Sequence, residues 1–100
     1  MTDDILTFDT FTPHVGKRVR FRGTDIVLEI DRVEQGEDLA LETVRAPFSV
    51  IFRGPRDPSV LLREGLYDCE VEDGGPSWNL YVMPIHTPQR DRQEYQAVFN

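Results

Sequence analysis

The chain has one cysteine, two histidines, no long apolar run and no excess of basic residues, and each shortage removes a class of function. With Cys69 alone, an internal disulfide and a cysteine-rich zinc site are both excluded. A reducing compartment is the simpler reading. No hydrophobic stretch approaches the ~20 residues that cross a bilayer. The start, Met1-Thr2-Asp3-Asp4, is acidic where a signal peptide is basic. We therefore expect a cytoplasmic protein without membrane contact. Lys and Arg number 11 against 18 Asp and Glu, a formal net charge of −7. Such a field repels phosphate, so nucleic acid is not the expected partner. A glycine-rich phosphate loop, a serine elbow and a His-x-x-His pattern are all missing. No catalytic, cofactor-binding or metal-binding set is assigned, and the chain is read as a non-enzyme.

What the chain does have is alternation. One hundred residues, 39 % of them hydrophobic, suffice for one core and one domain, 1–100. Residues 7–16 read as a short helix. Phe8, Phe11 and Val15 share a face, Thr7 can cap the start, and Gly16 suits a left-handed stop. In 17–22, Arg18, Arg20 and Arg22 alternate with Val19 and Phe21. Gly23-Thr24 fits a two-residue turn, which sets Phe21 opposite Ile26 and Val19 opposite Leu28. Outside, Arg22 then faces Asp25 and Arg18 faces Glu29, so apolar and charge matching select one register.

The strand continues through Val33 with a slip of apolar phase near Arg32 and Val33, the mark of a bulge. Glu34-Gln35-Gly36-Glu37 reads as a turn and 39–44 as a returning strand. Residues 48–52 are apolar on both faces apart from Ser49, as in a doubly covered strand or one that closes a barrel. Residues 53–64 form a loop whose Val60-Leu61-Leu62 is expected to fold over an open end of the core. Tyr67, Cys69 and Val71 point inward on the next strand, and Asp68, Glu70 and Glu72 point outward. A four-residue turn at Asp73-Gly74-Gly75-Pro76 then sets Val71 against Trp78 and Cys69 against Leu80. Pro84 is expected to end that strand, and 95–99 to form the last. The fold class is mainly β: an antiparallel barrel or two-sheet sandwich of about seven strands with one short N-terminal helix.

Few residues invite chemistry. Cys69 sits on the apolar side of its strand, where a thiol is inert. His14 suits a helix end and His86 a strand exit. The acidic run Asp68, Glu70, Glu72 and Asp73 could hold a hard cation, but it lacks a twelfth-position glutamate, having Asn79 there, and reads as a solvated face. The arginine stripe reads as salt-bridged across its hairpin.

The strings Phe48-Ser49-Val50-Ile51-Phe52-Arg53-Gly54-Pro55, Glu64-Gly65-Leu66-Tyr67, Leu80-Tyr81-Val82-Met83-Pro84-Ile85 and Tyr95-Gln96-Ala97-Val98-Phe99-Asn100 occur in order. With the opening Phe11-Thr12-Pro13-His14-Val15-Gly16, they resemble an uncharacterised family of small bacterial domains of about this length. Glu64 stands where the family has glutamine, and the central hairpin here is more acidic. The resemblance brings no catalytic residues. It implies an accessory or structural role near phage-tail-collar-like proteins. Among the shared residues, Phe48, Phe52, Leu66, Tyr67, Leu80, Val82, Tyr95 and Phe99 read as core, and Arg53 as a clamp on a carboxylate or on carbonyls.

The function expected is protein binding or structural support in a phage-tail-like assembly, with a protein partner and with homo-oligomers as an option. Arg53, Arg56, Tyr95 and Asn100 are the candidate anion or partner contacts, and the last strand and the 54–64 loop the candidate surfaces. The rival is a small enzyme or ligand-binding barrel with its pocket near His14, Arg53 and His86.

Overall fold

The computed structural model describes residues 6–35, 47–88 and 90–99. A short helix, α1 (Phe8–Phe11), runs into a 3-10 turn at Thr12–His14. Six strands follow: β1 (Arg18–Phe21), β2 (Val27–Gln35), β3 (Phe48–Gly54), β4 (Gly65–Val71), β5 (Ser77–Ile85) and β6 (Gln93–Phe99). They close into an antiparallel barrel in the order β1-β2-β3-β6-β5-β4, with β4 returning to β1. The barrel, not the sandwich, is the architecture. The expected strand at 39–44 lies outside the described residues, as do Gly36 and Glu37 of the expected turn, while Glu34 and Gln35 belong to β2.

Alternation builds the wall. In β1, Val19 and Phe21 are buried while Arg18 and Arg20 are exposed. Arg18 pairs with Glu29 and Val19 with Leu28, the register that charge and apolar matching select. The connection differs from the expected two-residue turn. The Thr24 amide donates to the Phe21 carbonyl and the Phe21 amide to the Ile26 carbonyl, so the loop takes Arg22 through Asp25. Gly23 sits third in that turn with φ +84°, and the Thr24 hydroxyl donates to the Phe21 carbonyl at 2.7 Å.

The bulge lies between Ile30 and Arg32 in the β2–β3 ladder. Leu28 and Ile30 are buried, and after the extra residue Val33 packs against the core instead of Arg32. The bulge thus keeps the core apolar and turns both Asp31 and Arg32 outward. Across the barrel, β4 and β5 pair Tyr67 with Leu80 and Cys69 with Trp78, two residues from the expected register. A two-residue shift leaves every side chain on its expected face, so alternation alone does not detect it. Turn geometry decides it. The Val71 amide donates to the Pro76 carbonyl, and the loop is Glu72 to Gly75, with Asp73 at φ 66° and Gly74 at φ 78°. Pro76 suits a ladder position that asks only for its carbonyl. Pro84 does not end its strand. It pairs with Tyr95, beyond the point where the ladder to β4 stops at Gly65 and Val82.

Each end of the barrel is plugged. Phe11 fills one end, its ring 4.6 Å from Trp78, 5.4 Å from Phe99 and 5.9 Å from Phe48. Val15, expected beside it, is instead exposed, because the helix gives way to the 3-10 turn and its three-and-four spacing no longer holds. Leu62 fills the other end after a 3-10 turn at Pro58–Val60, as the apolar 60–62 segment implied, while Leu61 faces water. The Leu62 amide donates to the Tyr95 hydroxyl at 3.2 Å, with both groups buried.

Candidate functional site

The bulge positions the most heavily charged cluster. On the outer wall of β2, β3 and β6, Arg53 holds Glu29 through two nitrogens, at 2.9 and 3.3 Å, and also binds Asp31. Arg32 reaches Glu34 at 2.6 Å and Glu94 at 3.3 Å. Arg92, just before β6, reaches Glu94 at 2.8 Å. Glu94 is only 4 % exposed. Burial by itself would raise the pKa of Asp31, but hydrogen bonds from Arg32 and Arg53 outweigh it and hold the carboxyl below its ordinary value. Four carboxylates face three guanidiniums, so this is a saturated structural latch, with no spare positive charge for an outside anion. Arg53 is the carboxylate clamp that its place at a strand end implied. Arg56 is a carbonyl clamp: it donates to Thr87 O at 2.6 Å and Arg92 O at 3.0 Å, tying the loop after β3 to the one before β6.

The basic stripe finds other partners than the sequence suggests. Arg18 meets Glu72 at 3.7 Å and Arg22 meets Glu70 at 3.3 Å, in place of the expected Glu29 and Asp25. Barrel closure lays β4 beside β1, with Arg20 opposite Glu70. The arginine stripe and the acidic stripe, read separately in the sequence, therefore neutralise each other. Their matching period of two was the available signal.

The residues named for a ligand pocket lie apart. His14 packs edge-on against Trp78 at the Phe11 end, 5.7 Å between ring centres. Arg53 and the exposed His86 belong to the other end, since Ile85 and Arg53 both pair with Glu94. His14 lines a hollow of about 330 Å³ with Arg18 and Glu72, and Arg53 lines a different one of about 420 Å³ with Arg18, Glu29 and Arg92. Cys69 is buried in the core, and burial first, then the charge of Asp68, pushes its thiol up to about 12. Tyr95 lies inside the barrel with its hydroxyl on Leu62, and Asn100 is outside the described residues. Among the described residues, no group of three His, Cys, Asp or Glu side chains is placed to hold a metal ion. No described helix is long and apolar enough to cross a membrane.

One surface remains that sequence reading missed. Leu66, expected in the core, is 65 % exposed. It shares the outward phase of Asp68 and Glu70, and that parity overrides its apolar character. It pairs directly with Tyr81 on β5, which is 48 % exposed. On β6, Val98 is 47 % exposed, beyond the end of the β5–β6 ladder at Met83 and Gln96. Exposed apolar side chains thus stand on three successive strands of the outer wall, with Leu66 and Tyr81 directly paired. Two carboxylates flank that pair. Glu64 accepts a hydrogen bond from the Tyr81 hydroxyl, which raises the pKa of that phenol, and Asp68 accepts one from the Asn79 amide at 2.7 Å. No curated protein and no solved structure matches the chain. A family model does match residues 6–99, and the chain belongs to that family, a domain of unknown function (DUF6916).

Proposed function

We propose that the chain is a non-enzymatic protein-binding module that engages its partner through the outer wall of β4, β5 and β6. The observation that carries this is the exposed row Leu66, Tyr81 and Val98. Exposed apolar side chains, the paired Leu66 and Tyr81 above all, gain from being covered, at about 25 cal/mol per Å² of apolar surface removed from water. Tyrosine is suited to such a place, with an apolar ring and a polar tip. Two further features support docking on a wall. The interior is filled by Phe21, Phe52, Leu28, Ile30 and Tyr95 together with the two plugs. And β6, an edge candidate in the sequence, is paired along its whole length with β3, so that side of its backbone is not open to a partner. Carried over from the family resemblance, the proposal extends to an accessory place in a phage-tail-like assembly.

The test is site-specific photo-crosslinking in cells that make the protein. A photoreactive residue replaces Leu66 in one version and the exposed Asp25, away from the row, in another. Position 66 is expected to give a discrete adduct with one protein, and that protein, once purified, to bind the wild-type chain and not Leu66→Ser. Equal adducts from both positions, or none from position 66, would refute the proposal.

A further inference from the structure

We propose that the occupant of this wall is a basic, apolar segment of another protein, and not a second copy of this chain. The inference rests on the docking wall proposed above and adds the partner's chemistry. Its ground is where two unpaired carboxylates sit. Glu70 is matched to Arg22, Glu72 to Arg18, Glu29 and Asp31 to Arg53, Glu34 to Arg32, and Glu94 to Arg32 and Arg92, while Asp9, Asp25, Asp57, Asp73 and Asp91, off the strands, form no ion pair among the described residues. Two more unpaired carboxylates stand directly beside the exposed apolar side chains. Glu64 is held by a phenol and Asp68 by an amide, and among the described residues neither forms an ion pair. Arg63, next to Glu64 in the chain, forms none with it.

Neutral donors fix the position of a carboxylate without cancelling its charge. Glu64 and Asp68 lie on either side of Leu66 in sequence, with Tyr81 opposite Leu66 and Asn79 opposite Asp68. The result is an apolar strip with fixed negative charge at both margins. The complementary surface carries aliphatic side chains between Lys or Arg residues. A two-fold contact between copies of this chain would instead bring the same carboxylates toward each other, on a molecule already at −7. That disfavours self-association through this face.

The test uses the full chain, isotope-labelled, and two synthetic peptides that differ only in sign: one alternating Arg and Leu, one alternating Glu and Leu. The Arg-Leu peptide is expected to shift the amides of 64–68, 79–83 and 96–98 saturably, and added salt to weaken it. Glu64→Gln with Asp68→Asn is expected to lower its affinity about fivefold, for two exposed ion pairs. Asp25→Asn with Asp91→Asn, the same charge change at exposed sites elsewhere, is expected to leave it nearly unchanged. Equal weakening by both pairs of substitutions would overturn the inference, because attraction would then be a matter of net charge. Equal binding of the Glu-Leu peptide to the same row would overturn it too, while leaving the docking wall intact. If neither peptide moves the row, the inference and the docking wall both fall. Concentration-dependent dimers that Leu66→Ser abolishes would overturn it in favour of a second copy.

Discussion

Tyr95→Phe removes one oxygen and nothing else, and the structure sets what that costs. The Tyr95 ring is fully buried, and its hydroxyl accepts the Leu62 amide at 3.2 Å where both residues are sealed from water. Phenylalanine keeps the ring and its packing, so the apolar burial is unchanged. The Leu62 N–H, however, loses its acceptor inside the plug. An unsatisfied buried donor costs about 1–3 kcal/mol. Taking about 2 kcal/mol, and about 4–8 °C per kcal/mol for a domain of this size, the melting temperature should fall by about 8–16 °C. Urea unfolding followed by tryptophan fluorescence should show a lower midpoint with an unchanged slope. Leu62→Ala should cost about 2–5 kcal/mol by leaving a cavity. It also loosens the seal, so water can reach the amide and Tyr95→Phe should cost less in that background. A Tyr95→Phe loss below about 0.5 kcal/mol, or strict additivity with Leu62→Ala, would show that the 55–64 loop, which starts after β3 and not at Arg53 as expected, does not seal the barrel and would refute the reasoning.

Other consequences are equally concrete. Gly75→Ala places a methyl 2.7 Å from Val71 Cβ, an atom fixed to the backbone of β4, and should destabilise by about 1–3 kcal/mol in thermal unfolding. Asp31 has a folded-state pKa below its unfolded value, so the unfolded chain takes up that proton first as pH falls. The stabilisation is therefore complete above about pH 4 and disappears as pH drops through the folded-state value. Melting temperatures of Asp31→Asn should accordingly decline less steeply between about pH 4 and pH 2 than those of the unaltered chain. Cys69, buried with its thiol pushed up to about 12, should resist an aromatic disulfide reagent in the folded protein and react at once in denaturant.

The sequence was legible where two independent signals agreed. The β1–β2 register follows because Val19, Phe21 and Leu28 matched on one face while Arg18 and Glu29 matched on the other. The bulge could be placed because Ile30 and Val33 fall out of phase, although the sequence does not say that it would gather Asp31 and Arg32 onto the outer wall. The β4–β5 register was two residues off because period-two alternation cannot distinguish such shifts, and the deciding Val71–Pro76 bond depends on the loop's own geometry. Leu66 was misplaced by trusting its chemistry over its parity. The latch around Glu94 was not legible at all. Its parts lie on β2, β3 and the segment entering β6, and only the strand order makes them neighbours. The candidate site was nearer to hand: Leu66, Tyr81 and Val98 stand on three consecutive strands, and the outward parity that Leu66 shares with Asp68 was the available signal.

The central claim is that this row serves binding and contributes little to folding, and the double variant Leu66→Ser with Tyr81→Ser tests it in a single protein. Its urea unfolding free energy should stay within about 0.5 kcal/mol of wild type, as for substitutions that touch no buried feature, while its binding of the Arg-Leu peptide disappears. A stability loss above about 2 kcal/mol, or full retention of peptide binding, would contradict the account.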